Sequence, residues 1–346
     1  MTTSPDNFAR YIRQVRYAPL GEAGQRKLMQ STVLVAGCGA LGNVLASILV
    51  RAGVGRVRIV DRDFVETHNL QRQFLFTEAH AAEQMPKAVA AAEVLRQANS
   101  TVEIEPIVGD VNFATIGKLC DGADVVVDGT DNFETRFLIN DASVKYGIPW
   151  VYGGCLGAEG QTMSIVPGET ACLRCLMAEC PPPGSTPTCD TAGVLGPIVA
   201  VIASIEAVEA MKILSGNPGA VSRSLTVVEL WDARIHQVDI RNLRDQAECP
   251  CCKGNEFPCL SGREGSETAV LCGRNAVQLT RLGQCVDLDE LARQLQGVGE
   301  VTRNRFLLRL NVDSYEITVF PDARAIVSGT DDPAEAKTVY ARYVGS

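Results

Sequence analysis

Residues 31–42 read STVLVAGCGALG, and their reading decides the fold. Thr32–Ala36 is a short, unbroken apolar run, the pattern of a strand buried on both faces of a parallel sheet. Gly37, Gly39 and Gly42 then spell G-x-G-x-x-G, with Ala40 and Leu41 inside the motif, ahead of the helical pattern NVLASILVRAGVG. Glycine permits a tight turn and close backbone approach, and the N–H groups at a helix start attract an anion. About 20 residues later RVRIVDRD reads as a second strand ending in Asp61, where an acid can hold ribose hydroxyls. Alone, this fingerprint fits NAD or ATP, or a turn kept for packing.

Working outward, strands and helices alternate. A helix is predicted over about Lys87–Gln97, then strands at VEIEPIVGDV (102–111) and DVVVDGTD (124–131), a helix at NFETRFLINDASVKYG (132–147) and a strand at IPWVYGGCLG (148–157). Such alternation predicts an α/β fold, a doubly wound, Rossmann-like and mainly parallel sheet. GQTMSIVPG (160–168) suggests a hairpin, CPPPGSTPTC (180–189) a loop, residues 192–216 a long buried helix and residues 224–240 two more strands. Residues 1–30 read as helical. After the Cys-rich stretch 248–267 the pattern becomes strand, helix (288–296), two strands (305–312 and 315–322) and a last helix (334–344). The expected division is therefore 1–262, carrying the glycine loop and a metal knuckle, and 263–346, a small α+β unit.

Composition narrows the function. A net charge of −9 and a pI near 5.0 disfavour nucleic acid, whose binding needs a basic surface. The N-terminus has no apolar signal core, and the longest apolar run, Val194–Ile205, is too short to span a bilayer. This predicts a cytoplasmic chain without membrane contact, whose 13 cysteines serve metal binding or chemistry rather than disulfides. The three histidines, His68, His80 and His236, are scattered and form no cluster or triad.

Further motifs follow in order. Arg10-Tyr11-Ile12-Arg13-Gln14 lies near the start. Asp63-Phe64-Val65-Glu66 and Asn69-Leu70-Gln71-Arg72-Gln73 follow Asp61, then Lys87, then Asp128-Gly129-Thr130-Asp131-Asn132. This ordered set, over about residues 5–255, resembles the ThiF/MoeB/HesA family, bacterial relatives of ubiquitin-activating enzymes. The resemblance implies ATP-dependent adenylation of the C-terminal Gly-Gly carboxylate of a small ubiquitin-fold sulfur-carrier protein. It implies that Gly39 and its neighbours lie against the nucleotide, that Asp61 holds ribose, and that Asn69, Arg72 and Lys87 contact phosphates. Asp131 would bind Mg²⁺, and Arg13 would reach the nucleotide of the other subunit of a homodimer. A sulfurtransferase or cysteine desulfurase is a further implied partner. The chemistry agrees. A carboxylate needs no general base, so the barrier lies in charge repulsion and positioning at the α-phosphorus, which Arg, Lys and Mg²⁺ relieve.

Cys172-Leu-Arg-Cys175 and Cys249-Pro-Cys251-Cys252 supply two C-x-x-C pairs, enough for a closed four-sulfur tetrahedron suited to structural Zn²⁺. Cys172, Cys175, Cys249 and Cys252 are the expected ligands, with Cys251 an alternative. Their long separation matches the resembling family, where zinc clips the C-terminal segment to the body. Cys189 sits at that family's crossover-loop position, where some members bind the carrier covalently as a thioester or acyl disulfide. Cys180 could act as a resolving thiol, while Cys38, Cys120 and Cys155 read as packing residues. No rhodanese motif accompanies Cys272 or Cys285. Rival readings are an NAD-dependent oxidoreductase, a degenerate scaffold, and an activating enzyme for protein conjugation. Asp131 read alone could also be a helix N-cap, and Arg136 and Asn140, sharing one helix face, read as structural supports behind the site.

Overall fold

The computed structural model describes residues 5–182, 185, 189–262, 268–271, 275–279 and 285–345. The chain divides into two compact units, Met1–Pro183 with Ala192–Glu264, and Gly184–Thr191 with Gly265–Ser346.

The first unit is built on an eight-stranded sheet. Its strands are β1 (Thr32–Ala36), β2 (Arg56–Asp61), β3 (Glu103–Val108), β4 (Val125–Asp128), β5 (Trp150–Leu156), β6 (Glu159–Ile165), β7 (Ser224–Glu229) and β8 (Arg234–Asp239). They lie in the order β3-β2-β1-β4-β5-β6-β7-β8. The first five are parallel, and β6, β7 and β8 are antiparallel. The sheet thus matches the doubly wound reading; GQTMSIVPG, expected to form a hairpin, is the single strand β6, which pairs antiparallel with β5. Val33, Leu34, Val35 and Ala36 are wholly buried, as are Val125 and Val127, which is why these strands read as continuous apolar runs. Helices Ala40–Ala52, Lys87–Ala98, Phe133–Tyr146 and Gly196–Leu214 flank the sheet, and a core around Leu34, Val126, Phe137, Trp150 and Ile165 fills one side.

Topology fixes where a ligand can bind. The chain runs outward from β1 through β2 to β3, then returns to β4 on the other side. The switch point therefore lies between the carboxyl ends of β1 and β4, the usual crevice of open α/β sheets. Ala36 pairs in register with Val60 of β2 and Asp128 of β4, so the glycine loop, Asp61 and the turn after Asp128 leave the sheet along one edge.

The second unit holds a six-stranded antiparallel sheet, β11-β12-β13-β14-β10-β9. Its strands are β9 (Thr268–Leu271), β10 (Ala276–Leu279), β11 (Glu300–Arg303), β12 (Leu308–Val312), β13 (Tyr315–Val319) and β14 (Ala325–Ser328). Helices Leu288–Gln294 and Pro333–Tyr343 supply Leu291 and Val339 to its core.

Two expectations need correction. The sequence predicted three strands here, where six form among the described residues; the first predicted strand is two, and Glu300–Arg303 and Ala325–Ser328 are four-residue segments too short to show a period. The predicted N-terminal helix is broken into a 3-10 turn at Pro5–Tyr11 and helices at Ile12–Val15 and Gly21–Leu28, separated by a turn over residues 16–20 that leads into Gly21 with a φ of +58°. Among the described residues no helix is long and apolar enough to cross a membrane.

Candidate functional site

The glycine loop is shaped by backbone contact. Gly37 has a φ of +87°, and a Cβ there would lie 2.7 Å from the Gly129 carbonyl oxygen. A Cβ on Gly42 would fall 1.9 Å from the Gly37 carbonyl oxygen. These two glycines are demanded by the fold. Gly39 differs, because a Cβ there would meet nothing nearer than the Gly129 oxygen at 3.7 Å. Gly39 is the N-cap of helix Ala40–Ala52 and has no side chain to cap it, leaving the first N–H groups of that helix, at Ala40 and Leu41, at the loop.

Asp61 ends β2 against this loop. Its Oδ2 accepts the Cys38 backbone N–H at 2.6 Å and its Oδ1 accepts that of Asp63 at 2.7 Å. Each oxygen keeps a second lone pair. Burial pushes the Asp61 carboxyl up, while Lys87 pulls it back. Lys87 opens helix Lys87–Ala98, is 3% exposed, and places Nζ 3.1 Å from Asp63 Oδ2. A buried ammonium needs such a partner. Arg62 is paired with Asp110 at 3.3 Å, and Asp63 lies 3.9 Å away. Burial opposes its charge, but Asp63, Asp110, Asp131 and Asp61 together hold the guanidinium firmly charged. Asp61, Arg62, Asp63, Lys87 and Asp131 thus form one electrostatic cluster at the carboxyl edge. Cys38, inside the loop, is buried and its thiol is pushed up by burial and then by Asp61, so it stays a protonated packing residue.

The segment after β2 is pinned nearby. Asn69 is buried, and its Oδ1 accepts the Glu66 backbone N–H at 3.1 Å in a capping box. Asn43 Oδ1, from the helix after the glycine loop, accepts the Leu75 backbone N–H at 2.7 Å. Arg72 is half-exposed and donates to the His68 carbonyl at 2.9 Å.

Asp131 is exposed on the turn after β4. It does not cap the following helix. Asn132 does so, its Oδ1 accepting the Thr135 backbone N–H at 2.8 Å, and the Asp131 carboxylate projects free of that duty. The turn is held from behind. Asp128 accepts the Thr130 backbone N–H at 2.8 Å and its hydroxyl at 2.7 Å. Arg136 pairs with Asp128 at 3.2 Å and donates to the Thr130 and Gly153 carbonyls at 2.8 and 3.0 Å. Its structural reading is consistent with these contacts.

The four expected cysteines come together. The Sγ atoms of Cys172, Cys175, Cys249 and Cys252 all lie within 4.8 Å of one another. Cys172 is 3.5 Å from Cys249 and 3.8 Å from Cys175, and Cys175 is 3.4 Å from Cys252. A zinc tetrahedron with bonds of about 2.3 Å has edges of about 3.8 Å, so the set fits such an ion. Cys251 is not one of these four, but its thiol is hydrogen-bonded to Cys172. It is wholly buried, and Asn140 Nδ2 donates to its sulfur at 3.5 Å.

A family model described as the ThiF family matches residues 11–251. The chain belongs to the ThiF family. Sulfur carrier protein ThiS adenylyltransferase of Bacillus subtilis is 44% identical over 339 residues, covering 97% of this chain and 99% of that protein. The SAMP-activating enzyme E1 of Haloferax volcanii is 39% identical over 254 residues, covering 73% of this chain and 92% of that protein. Among solved structures, E. coli MccB with ATP gives a TM-score of 0.60 at 23% identity, covering 71% of this chain and 74% of that one, a likeness of fold.

In this ThiF-family chain the sequence-predicted residues are not all gathered. Arg13 is exposed on the short helix Ile12–Val15 and, among the described residues, makes no hydrogen bond or ion pair with the cluster. Cys189 begins the short helix Cys189–Ala192; its side chain lies outside the described residues, as does Cys272. Cys180 is half-buried and Cys285 exposed. The sequence reading missed Arg62. Its position between two acids, in Asp61-Arg62-Asp63, was the available signal, but a lone arginine after a strand reads as a surface charge.

Proposed function

We propose that this chain adenylates the C-terminal Gly-Gly carboxylate of a small ubiquitin-fold sulfur-carrier protein, consuming ATP and releasing pyrophosphate. The observation that carries the reading is the cluster of Asp61, Lys87, Arg62 and Asp131 on the glycine loop, at the switch point of a ThiF-family sheet. The closely similar Bacillus relative, named for adenylating a sulfur carrier and matched over nearly its full length, supports it.

In this reading the N–H groups of Gly39, Ala40, Leu41 and Gly42 face the nucleotide, Gly37, whose N–H is held by the Val60 carbonyl at 2.9 Å, shapes the turn beneath it, and Asp61 takes ribose hydroxyls on its spare lone pairs. Asn69, Arg72 and Lys87 receive phosphate oxygens. Lys87 exchanges Asp63 for phosphate or bridges both, and among the described residues Arg72 has one hydrogen-bond partner to leave, the His68 carbonyl. The carrier carboxylate attacks the α-phosphorus as its bond to the pyrophosphate oxygen breaks. The cations oppose the negative charge gathering there. Asp131 would hold Mg²⁺, which supplies further charge neutralisation of the triphosphate. Arg13 would serve a second copy's nucleotide in a homodimer. Cys172, Cys175, Cys249 and Cys252 would hold Zn²⁺, whose closed thiolate shell makes it structural. Cys189 would take the activated acyl group as a thioester with loss of AMP, before a sulfurtransferase or cysteine desulfurase acts. Residues 263–346 would help dock a partner. The Haloferax relative, named an activating E1, favours one second reading, activation of a ubiquitin-like modifier for conjugation.

The test is ATP–pyrophosphate exchange with Gly-Gly-ended carriers. Arg72→Ala and Asp131→Ala should each lower exchange about 100- to 1,000-fold. Cys189→Ala should keep exchange and lose sulfur delivery. Full exchange in Asp131→Ala would remove the site assignment, and no exchange with any such carrier would remove the function.

A further inference from the structure

Behind the four-cysteine group, two consecutive side chains of helix Phe133–Tyr146 reach both halves of the knuckle. Asn140 is wholly buried; its Oδ1 accepts the Leu173 backbone N–H at 2.8 Å and its Nδ2 donates to the Cys251 sulfur at 3.5 Å. Asp141 is also wholly buried. Its Oδ1 takes Nε of Arg174 at 3.0 Å, and its Oδ2 lies 3.5 Å from the Arg174 terminal nitrogen. Arg174 stands between Cys172 and Cys175, is 5% exposed, and stacks over Phe137 with 4.7 Å to the ring centroid. The same Asp141 Oδ2 accepts the Cys259 backbone N–H at 3.0 Å, and Arg174 also reaches the Cys259 sulfur at 3.3 Å. The Cys251 thiol lends Asp141 a further hydrogen bond.

We infer that Asp141 is the positioning residue that locks the two cysteine pairs into one frame, so that metal retention depends on a carboxylate that is not itself a ligand. The segments carrying the pairs are far apart in sequence, and each alone offers two sulfurs. A four-sulfur shell holds its ion only while both knuckles keep one spacing. Asp141 is tied to the first through the guanidinium between its cysteines. It is tied to the second through the Cys251 thiol and the Cys259 amide, which flank Cys252. Residues that orient ligands from behind in this way typically change metal affinity about 10- to 100-fold when altered.

The inference rests on the reading of the four cysteines as a zinc site, and the experiment separates the two. Zinc per chain is measured in the purified protein, and its transfer to a chromogenic chelator is timed. Asp141→Asn should speed transfer about 10- to 100-fold, with ATP affinity by calorimetry unchanged. Glu134→Gln, an exposed acid on the same helix, should leave transfer at the wild-type rate; equal acceleration there would mean a general charge effect and overturn the inference. If Asp141→Asn does not fold, Asp141→Leu with Arg174→Leu removes both buried charges together, and it too should release zinc faster. Wild-type release in the folded variant overturns the role of Asp141 alone. Absence of zinc from the wild-type protein overturns the metal reading and the inference with it.

Discussion

At the scale of single residues, the glycine loop separates what the fold needs from what a ligand needs. Gly37 and Gly42 sit where a Cβ would collide with backbone. Gly42→Ala should therefore lower stability by about 1–3 kcal/mol in urea unfolding, the usual cost of forced overpacking. Gly39 has room for a Cβ as far as the protein is concerned, so Gly39→Ala should shift stability by no more than about 0.5 kcal/mol. If a nucleotide lies against this backbone, the same methyl group would occupy its space, and ATP affinity should fall about tenfold or more, equivalent to about 1.4 kcal/mol. Calorimetric titration of a folded Gly39→Ala protein that binds ATP as tightly as the wild type would place the nucleotide elsewhere. Gly37, Gly39 and Gly42 are equal members of one motif in the sequence. Only the distances to the Gly37 and Gly129 carbonyls tell the structural glycines from the one available to a ligand.

At the scale of elements, helix Gly196–Leu214 carries a buried acid into the sheet. Glu206 is wholly buried, and its carboxyl occupies the space where Gly153 of β5 would otherwise bear a Cβ. Burial pushes the Glu206 carboxyl well above its ordinary value of 4.5; Asp128 on β4 adds to this and Arg136 opposes it. Tyr152 of β5 also faces the group, its own phenol held up by burial. The folded protein keeps the Glu206 proton where the unfolded chain loses it. The resulting stability is complete below pH 4.5 and drains away as pH rises towards the raised folded value, by up to about 1.4 kcal/mol per pH unit. Glu206→Gln carries no such proton. Its stability relative to wild type, from urea midpoints between pH 5 and 9, should improve as pH rises, and a constant difference would rule out the buried proton. Neither this residue nor Asp141 was legible beforehand, because an acid within a helical pattern reads as a solvated face and burial is not written in one sequence. The parallel strands were legible, since Thr32–Ala36 and Val125–Asp128 are apolar on both faces. In the second unit, the stretch 268–279 holds two strands where one was expected, and Glu300–Arg303 and Ala325–Ser328 are too short to show a period, so three of the six strands among the described residues were missed. Among the proposed site residues, the glycine motif and Asp61 were readable because their spacing matches their geometry. The Lys87–Asp63 pair was not, because it depends on how the chain returns past Pro86.

At the scale of the whole molecule, the question is whether the two units divide the work. The proposed adenylation residues, from Gly37 to Asp131, and the four cysteines belong to the first unit, and the ThiF family match ends at residue 251. The second unit has an apolar core of its own, with Leu308, Leu310, Ile317, Val319 and Val327 wholly buried and Leu291 and Val339 nearly so. A unit that buries its own apolar faces need not support its neighbour's fold. A chain ending at residue 262 should then stay folded, keep its zinc, and catalyse carrier-dependent ATP–pyrophosphate exchange at the wild-type rate. What should fall is the coupled step, delivery of sulfur to the activated carrier, if residues 263–346 dock a partner there. The two assays, run on the same truncated protein, discriminate between the possible roles. Lost exchange would mean that the tail supports the adenylating site itself. Full exchange with undiminished sulfur delivery would leave the tail with no part in the reaction. Only preserved exchange with reduced delivery fits a docking unit appended to a self-sufficient adenylating body.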